Sequence, residues 1–161
     1  FILSNDMNVE LINPFIAATV NVLKTMARTD PKHGTPSIKQ GSKTWGDVTG
    51  LIGMAGDGVC GSLIISFDEP CILKIVSNML MEDFKEINND VLDAVGEITN
   101  MISGGTKSAL SEKGYNFNMA TPMMITGKNI SLSQLSKTPV ITVPFTTEAG
   151  QFVVEAHISK A

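Results

Sequence analysis

The chain has 161 residues, 43% of them apolar and 17% charged, with a net charge of −4. That supports a domain with a sizeable core and excludes a disordered chain. With no basic cluster, nucleic acid and anionic membranes are not the expected partners, and a lysine-bearing protein surface suits the chain better. Cys60 and Cys71 each fall inside an apolar element and read as free buried thiols in a reducing compartment. His33 and His157 are the only histidines and there is no CxxC, so zinc and haem lack ligands. No apolar run approaches the roughly 18 residues of a membrane span. Phe1 to Asp6 lacks the pattern of a signal peptide. It reads as a remnant before a native start at Met7, with one domain over 7–161.

Taken in order, Asn13-Pro14 opens a first helix, with Asn13 as N-cap and Pro14 at the first helical position. Phe15, Ala18, Val22 and Met26 keep helical spacing to about Arg28. The breaker-rich stretch 29–37 is a loop, and Ser37 to Gly41 a short strand. Asp47 to Ala55 and Val59 to Phe67 are two strands joined by Gly56-Asp57-Gly58, a hairpin signal. Asp68 or Glu69 caps a second helix with Pro70 in its first turn and Ile72, Ile75, Val76 and Met79 as its apolar stripe. After a connector over 84–89 comes a long helix from Asp90 to Ser111, capped by Asn89 or Asp90 and ended by a left-handed Gly114. Phe117 to Gly127, Val140 to Thr146 and Gln151 to Ser159 read as three strands, the last two joined by a turn at 148–150.

The order helix, three strands, helix, then helix, three strands points to a duplication, with halves over about 10–85 and 88–160. Segments 10–23 and 97–110 align without a gap and share Glu, Asn, Thr and Leu at matching places. Hairpins rather than alternating strands and helices imply an α+β fold, an antiparallel sheet covered by helices.

Gly56-Asp57-Gly58-Val59-Cys60-Gly61 matches G-x-G-x-x-G. A strand-like run follows it where a dinucleotide site needs a helix, so it reads as a hairpin turn. Neither histidine lies beside a nucleophile signature, and both read as structural or solvated.

The long helix is the informative stretch. At about 100° per residue, Val91, Val95, Ile98, Ile102 and Ala109 form a buried stripe, and Asp93, Glu97, Asn100, Gly104 and Ser111 lie opposite as an exposed ridge. Such a ridge is ordinarily just the wet face of an amphipathic helix. Two features argue for more. Asn100 is a poor helix former placed mid-helix. Gly96, Gly104 and Gly105 each cost about 1 kcal/mol relative to Ala in a helix interior. Glycine permits close approach: Gly105 reads as packing on the sheet, whereas Gly104, on the ridge, has no such reason.

Asp93-x-x-x-Glu97-x-x-Asn100 followed by SGGT resembles the signature helix of the CheC/CheX/FliY family of chemotaxis phosphatases, and INPFIAATVNVLKTM (12–26) resembles the first helix of CheX proteins. The resemblance spans essentially the chain from Met7. It implies a duplicated CheC-like fold and hydrolysis of the aspartyl phosphate of a CheY-like response regulator in the cytoplasm. Glu97 would dock to the partner's lysine, and Asn100 would orient the attacking water. Asp93 and Gly104 would contact the partner. Magnesium would be held by the partner, with no cofactor of the chain's own. Glu10 and Asn13 repeat the E-x-x-N spacing, but with Asn13 as N-cap that copy is expected to be inactive, a CheX-like trait. The resemblance also implies a homodimer formed through the sheet. The competing readings are a receiver-binding adaptor without catalysis and, less directly, a regulator of a receptor-modifying deamidase.

Overall fold

A computed structural model describes residues 11–132 and 139–160. Helix α1 is Ile12–Ala27, α2 is Glu69–Leu80 and α3 is Asn89–Glu112. The strands are β1 (Lys32–His33), β2 (Ser37–Ile38), β3 (Val48–Gly56), β4 (Val59–Phe67), β5 (Asn118–Met119), β6 (Met123–Thr126), β7 (Ile141–Thr146) and β8 (Gln151–Lys160). All strand pairs are antiparallel, as the hairpin pattern requires.

The sheet order is β1-β7-β8-β4-β3-β5, with β2 also on β7 and β6 also on β3. It reads alike from either end. Two long hairpins meet at β4–β8, and each carries on its outer strand two short strands from the other half of the chain. The Asp57-Gly58 turn is as expected, with Gly58 at φ 72°. One sheet face is apolar: Gly50, Ile52, Ile65, Leu63, Val154, Val143 and their neighbours are buried under a layer formed by the three helices. Phe67, Phe152 and Phe145 pair in register across β4, β8 and β7, and the last two stack at 4.7 Å.

Several local expectations need correction. Asn13 is the second residue of α1 and Pro14 the third; Leu11, with no side-chain cap, precedes the helix. Proline is tolerated in a first turn because its missing N–H needs no partner there. Met26 is 44% exposed, so the buried face of α1 ends at Leu23 and Ala27. Lys32–His33, inside the expected loop, pairs with β7. The strand expected over 37–41 is limited to two residues, and 117–127 is broken into β5 and β6. Cys71 is buried, but Cys60 is exposed because β4 alternates it away from the helices; both are free. Glu10, Met7 and the segment 1–6 lie outside the described residues.

Helix α3 is capped by Asn88, one residue earlier than expected, whose side chain accepts from the Val91 N–H at 3.0 Å. Gly114, at φ 91°, ends it: its N–H reaches Ser111 O, and the Tyr115 N–H reaches Leu110 O. That pair of bonds is the Schellman arrangement. Between these ends α3 lies against β3, β4 and β6 on one side and against α1 and α2 on others. It approaches the sheet closely at Gly50, where a Cβ would overlap Thr99 Oγ1 and press on Val95.

The opposite sheet face carries polar pairs: Thr49–Ser66 at 2.7 Å, Ser62–His157 at 2.9 Å and Lys39–Glu155 at 2.7 Å. Burial holds the His157 ring below the ordinary value of 6.5. Burial pushes the Glu155 carboxyl up, opposed by the Lys39 ammonium.

Gly50→Ala is expected to lower stability by about 2 kcal/mol or more, since Thr99 is fully buried and cannot retreat, measured by urea denaturation. A second expectation concerns pH. Because the folded pKa of His157 is depressed, the unfolded chain binds more protons as pH falls below 6.5, and stability declines through the folded pKa. Glu155 acts in the opposite sense, its cost growing as pH rises above 4.5. The difference in stability between wild type and His157→Gln should therefore change between neutral pH and about pH 5, with wild type losing more.

Candidate functional site on the exposed face of helix α3

The expected inner stripe is present: Val91, Val95, Ile98 and Ile102 are fully buried. Thr106 and Leu110 continue it, whereas Ala109 is only half-buried. Thr99 and Thr106, buried mid-helix, each donate to the carbonyl four residues back, at 2.7 and 2.8 Å, so no buried hydroxyl is left unsatisfied on that face.

On the opposite face Asp93, Glu97, Asn100, Gly104 and Ser111 are all exposed. The structure thus brings the sequence-predicted residues onto one ridge. Among the described residues, no hydrogen bond or ion pair engages the side chains of Asp93, Glu97 or Asn100. Only the backbone carbonyl of Asn100 is used by a side chain, accepting from Ser103 Oγ at 2.9 Å. Asp93 and Glu97 stand four residues apart on the same face, where like charges cost a helix a few tenths of a kcal/mol. An uncompensated acidic pair followed, one turn on, by a carboxamide can receive a cation and hold a water side by side. The carboxamide both donates and accepts.

The three glycines divide by environment. A Cβ at Gly96 would meet Met124 Sδ at 3.0 Å, and one at Gly105 would meet Ala18 Cβ at 3.3 Å. Gly105 therefore admits α1, not the sheet. At Gly104 nothing lies within 4 Å. Lys107, exposed and about 20° around the axis from Asn100, adds a cation at the far end of the ridge. Its place seven residues after Asn100 puts it on the ridge by helical spacing alone, a signal absent from the expectations above. Among the described residues no cluster of His, Cys, Asp and Glu could hold a metal ion. No described helix is long and apolar enough to cross a membrane.

A family model described as "Chemotaxis phosphatase CheX" matches residues 48–146, which include the whole of α3. The CheY-P phosphatase CheX of Thermotoga maritima is 28% identical over 128 residues, covering 78% of this chain and 81% of that protein. The crystal structure of a CheC-like superfamily protein from Shewanella sp. PV-4 is 46% identical, with a TM-score of 0.88 over 95% of this chain and 99% of that one. CheX in the CheX–CheY–BeF3–Mg2+ complex from Borrelia burgdorferi is 27% identical, with a TM-score of 0.79 over 94% of this chain and 99% of that one.

Gly104→Ala is expected to raise stability by about 1 kcal/mol, the helix-propensity difference, because the added methyl meets open space. Gly96→Ala should fail to give that gain, because Met124 must move. Thermal denaturation of the two variants beside wild type measures the contrast.

Proposed function

The chain belongs to the CheX family, and from that premise we propose that it hydrolyses the aspartyl phosphate of a CheY-like response regulator, with Glu97 and Asn100 as the working residues. The observation that carries this reading is the α3 ridge, where both side chains stand exposed, one turn apart and unengaged within the described chain. Glu97 pairs with a lysine ammonium beside the partner's phosphoaspartate, docking the helix over the acyl phosphate. Asp93, one turn before, adds negative charge to the same approach. Gly104 offers bare backbone where the partner's surface comes close.

Asn100 then acts on water. Its carbonyl oxygen accepts a hydrogen bond from the water, and its amide N–H donates to a phosphoryl oxygen. The water oxygen attacks phosphorus in line, and the bond from phosphorus to the acyl oxygen breaks. Inorganic phosphate leaves, the aspartate carboxylate is regenerated, and the water's proton passes to phosphate or solvent. An acyl phosphate is already reactive, so positioning supplies most of the acceleration. Magnesium is proposed to sit on the receiver, where it neutralises charge on the phosphoryl oxygens. By the same family resemblance we place the protein in the cytoplasm as a homodimer formed through its sheet.

Incubation with phosphorylated receiver, following loss of the phosphoryl group, tests the assignment. Asn100→Ala is expected to lower the catalysed rate by about 10²-fold or more while leaving receiver binding largely intact. Glu97→Ala should mainly weaken docking, by about tenfold or more. Asn13→Ala should leave the rate unchanged. Wild-type activity in Asn100→Ala would sink the mechanism. Receiver binding without acceleration by the wild-type protein would favour the adaptor.

A further inference from the structure

We propose that the cleft between the end of α1, one face of α2 and the β7–β8 turn binds a small phosphate-bearing molecule. The cleft has a volume of about 730 Å³, formed by residues from 28–32, 71–78 and 146–149. That lies within the roughly 300–1,000 Å³ usual for small-molecule sites. None of its residues belongs to α3, so the site is separate from the ridge.

Helix α2 supplies Cys71, Lys74, Ile75 and Asn78, spaced i, i+3, i+4 and i+7 along a single face. Cys71 and Ile75 are buried and give an apolar floor, and Lys74 stands exposed at the rim. Burial pushes the Cys71 thiol up to about 12, so it is a neutral wall rather than a nucleophile. The Thr147 hydroxyl is committed to the β7–β8 turn, donating to Gly150 O at 2.9 Å. Asn78 donates to Ala27 O at 2.9 Å, fixing the end of α1 against α2.

The charges decide the ligand class. Arg28, Lys32 and Lys74 face Asp30 and Glu148 around the cleft. Asp30 is satisfied by Lys32 at 2.9 Å and Lys24 at 3.4 Å. Glu148 has no partner among the described residues, and neither has Lys74. Among the described residues the Arg28 side chain has only the Met81 sulfur, 3.1 Å from Nη2, a weak acceptor. Two uncommitted cations thus oppose one uncommitted carboxylate. A phosphate-bearing ligand supplies the acceptor oxygens that both an arginine fork and a lysine ammonium take. Arg28 also occupies a left-handed conformation, φ 47°, that glycine adopts more readily. The chain nevertheless places an arginine there, in the lining of the cleft.

Pyrophosphate is the probe, titrated into labelled protein by NMR and, in parallel, by calorimetry. The expected result is saturable binding with shifts at Arg28, Lys74 and Asn78 and none along Glu97 to Gly104. Arg28→Gly/Lys74→Gln removes both cations, and the glycine suits the local φ, so the fold is retained. Its affinity should fall by at least about tenfold, the value of a lost charge-assisted contact. Lys85→Gln, a charge change on a lysine outside the cleft, and Asn100→Ala should both bind as wild type does. The proposal is overturned by absence of saturable binding, by wild-type affinity in the double variant, or by an equal loss in Lys85→Gln. Because Asn100→Ala is expected to bind normally, failure here and failure of the phosphatase mechanism are distinguishable.

Discussion

The seating of α3 on β3 at Gly50 fixes which face of the helix is exposed. Thr99 and Val95 press on a strand that offers no side chain at that point. The contact is possible because the Thr99 hydroxyl is already satisfied by Val95 O and brings no unpaired polar group into the core. It also sets the rotation of the helix. A shift of one residue would turn every side chain by about 100°, exposing part of the Val91–Ile102 stripe and burying acidic residues. The exposure of Glu97 and Asn100 is thus a consequence of packing on the other side of the helix. The Asn88 cap and the Gly114 stop hold its two ends.

The same helix meets α1 through matching positions. Aligning 10–23 with 97–110 places Ala18 opposite Gly105, and a Cβ added at Gly105 would meet Ala18 Cβ at 3.3 Å. Thr19 and Thr106 match as well, and each donates to the carbonyl four residues back. Leu23 and Leu110 match and are both fully buried. Together with a sheet order that reads alike from either end, these pairs support a duplication whose halves meet near Ala18 and Gly105.

The sequence carried the long-range pattern well and the junctions poorly. Helical periodicity exposed the ridge because one period governs all 24 residues of α3. The cap was displaced by one residue because Asn88, Asn89 and Asp90 all carry suitable side chains, and only the turn geometry selects among them. Pro14 was misread because its chemistry fits more than one place in a first turn. The burial of Cys60 was misjudged because an apolar run does not say which strand face is covered, and Gly105 because periodicity gives a direction but not the neighbour. The α2 cleft was hidden for a different reason. Its cations come from positions 28, 32 and 74, which no local window joins.

The two matched helices differ at the positions of the candidate site. The reading of Asn13 as a cap does not hold, for it lies exposed on a helix as Asn100 does. The difference is one turn further on. Ala17, exposed on α1, occupies the place of Gly104. A methyl there improves helix propensity and thickens the surface that a docking backbone would have to approach. Gly104, with open space around it, keeps the less stable choice on the helix that presents Asp93, Glu97 and Asn100 together. Stability was available at that position and the sequence does not take it, which is the pattern expected where a partner's close approach, rather than folding, sets the residue.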